Sequence, residues 1–175
     1  MISTPAHAVG RQVIPLVWVD PATGLAIGGF DPVAYFTDGE ARQGSGYFET
    51  VWGGASWRFT NVGNLEAFLA APHLFAPRYG GYGTVGVSRR VLVPGNPLIW
   101  QIESNELYFF SSVIDREIWN MEREVLASDA ATHWAQVMRE TVEPRKTLNA
   151  LADVLPGTPA PEPTEAGDMP DPIDY

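Results

Sequence analysis

Cysteine is absent from the 175-residue chain. Disulfides, thiolate metal ligands and thiol nucleophiles are excluded together, although no compartment follows from that. Histidine is scarce: His7, His73 and His133 stand alone, and no His-x-x-His or comparable ligand spacing accompanies them. Basic residues are few, 11 Lys and Arg against 21 Asp and Glu, for a net charge of −10. No basic run exists to form a nucleic-acid-binding face. No stretch approaches the roughly 18 apolar residues of a spanning helix, so membrane insertion is not expected. The apolar run Val13–Val19 is short, contains Pro15 and leads into Asp20-Pro21 rather than a small-residue cleavage site. It reads as a strand, Gln12–Val19, with Pro15 favouring an edge. The chain as written is expected in the cytoplasm; a chain trimmed of a leader would be periplasmic.

What is present suffices for a core. Hydrophobic residues make up 45% and aromatics 11%, enough for one domain with appendages. The acids are unevenly placed. Six of the 21 fall in residues 151–175 with no Lys or Arg, leaving 15 against 11 bases, a net −4, in the first 150 residues. Residues 157–175, rich in Pro and acid, are expected to be disordered. Residues 1–24 read as an arm and strand, 25–142 as the folded domain, and 143–156 as an amphipathic helix.

The organising stretch is Ala71–Ser88. Gly80, Gly81, Gly83 and Gly86 alternate there with Phe75, Tyr79 and Tyr82. Glycine allows positive φ and close backbone approach, so this is either a cradle for a ligand or a structural crossing. Around it, Asp20–Gly24 has turn chemistry. Asp31-Pro32 fits an N-cap before a short helical turn carrying Tyr35. Gly53-Gly54 marks a hairpin that pairs Trp52 with Ala55, Thr50 with Trp57 and Phe48 with Phe59, and sets Glu49 opposite Arg58. Asn61 caps a helix with the stripe Val62, Leu65, Phe68 and Leu69, ended by Pro72. Pro94–Pro97 reads as a turn. Trp100–Phe110 reads as a second hairpin around Ser104-Asn105, setting Glu103 opposite Glu106.

Ser112 opens a helix with Ile114, Ile118, Met121 and Val125 as its buried stripe, which makes Met121 core. Ser128 or Asp129 starts another helix, carrying Trp134 and Met138. Pro144–Leu155 aligns Leu148, Leu151 and Leu155. Short isolated helices are marginal in water, so this face is expected to meet a protein partner or a second copy.

These pieces resemble a YHS domain of the Asp-Pro-Val-Ala-Tyr-Phe branch. The matching stretches are Gly28–Gly39, Asn64–Phe68, Ala76–Tyr82, Trp100–Ile102, Glu106–Tyr108, the helix through Trp119, and His133-Trp134. The resemblance implies an α+β fold: a small domain of short antiparallel hairpins flanked by helices, here with a C-terminal helical extension and an acidic tail. Members of the family are described as binding copper or another heavy metal. In this branch a cysteine commonly follows Gly-Gly-Tyr, and Gly83 stands there instead, with no side chain to ligate a soft metal. The expectation is a non-catalytic binding module for a protein partner or small ligand, without a cofactor. Its candidate residues are Asp31, Tyr35, His73, Tyr79, Gly80, Gly81, Tyr82 and Gly83. A metal site built on His73, with copper as the ion, is one alternative; an enzyme using buried carboxylates is another. Cysteine restored at position 83 would be expected to place a soft ligand near Tyr79, Tyr82 and His73.

Overall fold

The computed structural model describes residues 16–142. Its architecture is α+β: two separate two-stranded antiparallel sheets with helices around them. Helix α1 (Ala34–Thr37) precedes the hairpin β1 (Ser45–Trp52) and β2 (Ala55–Phe59). Helices α2 (Val62–Ala70) and α3 (Pro72–Phe75) follow, then the glycine-rich turn at Arg78–Gly81 and α4 (Thr84–Ser88). The second hairpin is β3 (Asn96–Glu103) with β4 (Glu106–Phe110), and α5 (Val113–Val142) closes the described chain. Among the described residues no helix is long and apolar enough to cross a membrane.

Both hairpin turns have the geometry their residues imply. Gly53 and Gly54 have φ of 60° and 79°, and Ser104 and Asn105 have 51° and 62°. Positive φ at both central positions is the turn whose twist matches two paired strands. In β1/β2 the pairs Trp52–Ala55, Thr50–Trp57 and Glu49–Arg58 form as expected. Arg58 Nε lies 2.9 Å from Glu49 Oε2, with both side chains about one-third exposed. That pair is worth under about 1 kcal/mol. The expected Phe48–Phe59 pair does not form: a bulge after Ser45 shifts the register, and Ser45 faces Phe59. In β3/β4 the expected Glu103–Glu106 pair forms, in a register that also sets Trp100 opposite Phe109 and Ile102 opposite Leu107. The like charges facing each other are offset by cations, Arg123 at 2.6 Å from Glu103 and Arg78 at 3.2 Å from Glu106.

Strand β4 divides the interior. Leu107 and Phe109 belong to one buried cluster with Ile27, Tyr35, Trp57, Phe59 and Phe68. Tyr108 and Phe110 belong to a second with Tyr79, Tyr82, Val85, Trp119 and Leu126. Successive side chains of a strand point to opposite faces, so this strand of four consecutive buried residues holds both clusters.

Several expectations are corrected here. Of the strand Gln12–Val19, residues 12–15 lie outside the described residues. Within 16–19 only Val19 pairs, in an isolated bridge to Ala26. Trp18 instead donates its N–H to the Gly80 carbonyl at 2.8 Å and accepts from the Ile27 N–H at 3.3 Å. The segment is a strap threaded between two loops. Pro94–Pro97 is no turn: Pro94 bridges Tyr82, and Asn96 and Pro97 already belong to β3. In α2, Phe68 is buried but Val62 and Leu69 are exposed, because the helix meets the core only along Asn64, Leu65, Ala67 and Phe68.

Helix α5 departs most. Ser112 Oγ accepts the Asp115 N–H at 3.1 Å, the expected cap. The helix then runs past Ser128 and Asp129; its one irregular residue is Glu122, at φ −122° and ψ 24°. Trp119, Leu126 and Ala130 are buried, whereas Ile114, Met121 and Val125 are exposed. The helix carries two apolar stripes and has one body to pack on. The stripe with Trp119 wins because the indole fits between Tyr108 and Phe110, at ring distances of 5.1 and 6.1 Å, and a buried tryptophan removes more apolar surface than any aliphatic side chain. Helix Pro144–Leu155, with Leu148, Leu151 and Leu155, and the tail 157–175 lie outside the described residues.

Asp31 locks the first cluster. Its side chain is wholly buried. Oδ1 accepts the N–H groups of Val33 and Ala34 at 2.9 and 3.3 Å, so it caps the turn at Pro32-Val33 rather than the first residue of α1, whose cap is Val33. Oδ2 accepts the Thr60 N–H and hydroxyl, both at 2.8 Å, and Asn64 Nδ2 at 2.7 Å. One carboxylate thus joins α1, the end of β2 and the start of α2. Asp31→Ala should therefore lower unfolding free energy by at least about 3 kcal/mol, since several buried donors lose their acceptor. Asp31→Asn keeps one oxygen and should lose less. Chemical denaturation checks both, and an Asp31→Ala loss under about 1 kcal/mol would contradict this role.

Candidate functional site

The site grows from two breaks in regular structure and one long helix. Asn61 caps α2 by accepting the Asn64 N–H at 2.9 Å. Pro72 then sits at the first position of α3, where its missing N–H is harmless. This restart sets His73 against Trp52, rings 5.1 Å apart and nearly perpendicular. Next, Tyr79, Gly80 and Gly81 adopt φ of 54°, 62° and 86° in succession and reverse the chain. Gly80 is obligatory: a Cβ there would lie 1.9 Å from the Leu16 carbonyl oxygen. The strap therefore lies directly on the turn. Last, α5 brings Trp134 to 6.0 Å from both the Tyr79 and Tyr82 rings.

These elements enclose an open cleft of about 530 Å³. Trp52, Trp57, Trp134, Tyr79, His73 and Arg78 give it character, and Leu16, Val17, Gly53, Ala76, Pro77, Gly80 and Met138 complete the lining. Trp57 is fully buried and donates its indole N–H to the Trp52 carbonyl at 2.9 Å. Trp52 and Trp134 are half-buried. Arg78, the one Lys or Arg among the described lining residues, holds its guanidinium carbon 5.5 Å above the centre of the Tyr79 ring. A neighbouring hollow of about 240 Å³ shares His73, Ala76 and Arg78 and adds Leu74, Ser104, Asn105 and Glu106. The larger space is apolar and the smaller polar, with Arg78 and His73 between them.

Of the candidate residues, the fold brings His73, Tyr79 and Gly80 to this cleft. Tyr82 supports it from behind through Trp134. Asp31 and Tyr35 lie elsewhere, in the first cluster; the Tyr35 hydroxyl donates to the Pro97 carbonyl at 2.9 Å. Gly81 faces Ile27, with its carbonyl accepting the Gly95 N–H at 3.1 Å. Gly83 has an ordinary φ of −64°, and a Cβ there would meet Ser111 Oγ at 2.2 Å. It does not line the cleft that holds His73, so a cysteine at 83 would not join that histidine. Among the described residues no three His, Cys, Asp or Glu side chains converge as a metal-binding set. Three serines are engaged structurally: Ser88 donates to the Val85 carbonyl, Ser111 to the Pro94 carbonyl, and Ser112 caps α5. His133 is held outside the cleft, its Nε2 accepting from Arg90 Nε at 2.9 Å.

Spacing along the chain missed Trp52, Trp57, Arg78, Trp134 and Met138 as cleft residues. Trp52 and Trp57 read as core, which Trp57 is. Trp134 and Met138 were legible as an i, i+4 pair on one helix face, yet nothing local says which space that face borders.

Burial raises the phenol pKa of four tyrosines above the ordinary 10.0. For Tyr35, burial is reinforced by the Asp31 charge. Tyr82 is raised by burial alone. For Tyr108, burial is reinforced by its hydrogen bond to Glu106 and the charge there. For Tyr79, burial prevails over the opposing charge and hydrogen bond of Arg78, and the Glu106 charge raises it further. Below pH 10 these phenols are protonated whether the chain is folded or not. Above it the unfolded chain releases their protons while the fold retains them, so stability must fall as pH rises past 10. Alkaline titration should show these four ionising late, together with loss of tertiary circular dichroism. Four tyrosinates formed near pH 10 in an intact fold would contradict this.

The Ser111 contact yields a second test. Gly83→Cys should destabilise by ~1–3 kcal/mol through overpacking, and Ser111→Ala in the same chain should recover much of it. A double-mutant cycle with no coupling between the two positions would contradict the contact. Comparison of the chain with family models, curated proteins and solved structures returns no match.

Proposed function

We propose that this chain is a non-catalytic binding module of the YHS type whose cleft receives a small, flat, largely apolar ligand with one anionic or hydrogen-bond-accepting end. The observation that carries the reading is the convergence of three indoles, a phenol, an imidazole and one guanidinium on a space of about 530 Å³. That volume suits a ligand of ordinary small-molecule size, and apolar walls with a few placed polar groups are the usual form of such sites. Aromatic walls favour a planar body by stacking. Arg78, which keeps donors beyond its 3.2 Å pair with Glu106, and His73 stand between the apolar cleft and the polar hollow and favour an end that accepts hydrogen bonds. Tyr79 adds support. A non-glycine residue held at φ 54° costs about 1 kcal/mol or more, and such strain gathers at ligand sites.

The test uses two related dyes, the anionic anilinonaphthalene sulfonate and its neutral counterpart phenylnaphthylamine. Wild type should bind both, with quenching of tryptophan fluorescence. Trp134→Ala should weaken both by at least about tenfold, equivalent to ~1.4 kcal/mol. Arg78→Met should weaken the sulfonate several-fold and leave the neutral dye unchanged. Binding that neither substitution alters, in variants that melt as wild type does, overturns the reading.

A further inference from the structure

The second apolar stripe of α5 needs an explanation that the cleft does not supply. Ile114, Met121 and Val125 are 71%, 75% and 63% exposed, and half-buried Ile118, which also packs on the second cluster, lies between the first two in sequence. Large apolar side chains standing open in a row mark an interaction surface more often than an accident. The spacings are four, three and four residues, the a/d seam of a two-helix packing.

The flanks state what can cover it. Glu117 and Glu124 on one side and Glu122 and Asp129 on the other flank the stripe on an ideal helical projection, with the irregular turn at Glu122 falling inside it, and all four are exposed. The nearby arginines do not offset them fully. Arg123 reaches away to Glu103 at 2.6 Å, and Arg116 makes only a long 3.9 Å pair with Glu117. A second copy of this helix would set acid against acid on both sides, in either orientation. An anionic membrane surface would be repelled in the same way. A helix carrying apolar seam residues between Lys or Arg flanks would match both apolar row and charge, and like-charge juxtaposition excludes the other arrangements.

We propose that the Ile114–Val125 face of α5 is a docking surface for a basic amphipathic helix of another protein. Trp119, Leu126 and Ala130 hold the opposite face of α5 in the core, so the surface is presented on a fixed support. This inference stands apart from the dye-binding reading, since none of the four stripe residues lines the cleft.

The experiment uses the full chain and two synthetic helical peptides of the same leucine seam, one with lysine and one with glutamate at the flanking positions. The lysine peptide should bind at least about tenfold more tightly than the glutamate peptide. Met121→Gln with Val125→Gln, both at exposed positions, should weaken the lysine peptide by at least about tenfold, as should Glu117→Lys with Glu124→Lys. Trp134→Ala should leave it unchanged. Three outcomes overturn the proposal: no binding of the lysine peptide; binding that the Met121 and Val125 substitutions leave intact, which would make the attraction diffuse charge alone; or a wild-type dimer in sedimentation that the same two substitutions dissociate, which would make the occupant a second copy.

Discussion

Strand β4 is the constraint on which the fold depends. A two-stranded hairpin is marginal in water by itself, and this protein contains two that do not join into one sheet. What makes them stable together is that four consecutive β4 residues are buried on alternate faces, Leu107 and Phe109 with the first hairpin, Tyr108 and Phe110 with α5. The strand is a shared wall. Its remaining backbone is also engaged: Gly83 bridges Phe109, and the Thr84 hydroxyl donates to the Phe109 carbonyl at 3.0 Å. A residue that weakens β4 therefore loosens two cores together.

Two smaller devices keep the irregular parts in place. Asp31 gathers five donors from three segments. Gly80 lets the strap at Leu16–Trp18 lie on the turn without a side chain between them. One is a polar centre in an apolar surrounding, the other a backbone contact.

What the sequence made legible was what short range decides. The two hairpin turns, the Asn61 and Ser112 caps and the Asp31 cap depend on a few adjacent residues, and they appear as their residue types imply. Phe48 failed because a bulge is set by how a strand end meets its surroundings, which Ser45–Glu49 does not reveal. The α5 stripe failed for a different reason. Periodicity grouped Ile114, Ile118, Met121 and Val125 as one buried stripe, yet Ile118 alone of the four packs on the core and the other three are exposed. It could not show that Trp119, Leu126 and Ala130 share another face with a better-fitting partner. The cleft was legible only at Tyr79, Gly80 and His73, because its other walls come from β1, β2, the strap and the far end of α5. Such convergence leaves no spacing in the chain.

The position of the cleft follows from the division made by β4. Trp57, Trp52, Val17 and Ala76 belong to or pack on the first cluster; Tyr79 and Trp134 belong to or pack on the second. Two cores on opposite faces of one strand cannot also close on each other beyond its edge, because the strand holds them apart. The strap and the turn at Arg78–Gly81 cross that gap without filling it, since glycine at 80 adds no side chain. Aromatic edges that would be covered in a single core are left facing an open space. The same shared wall that stabilises the hairpins thus leaves the Trp52 and Trp134 rings half covered, and half-covered indoles around a cavity are where a planar ligand gains most by removing apolar surface from water.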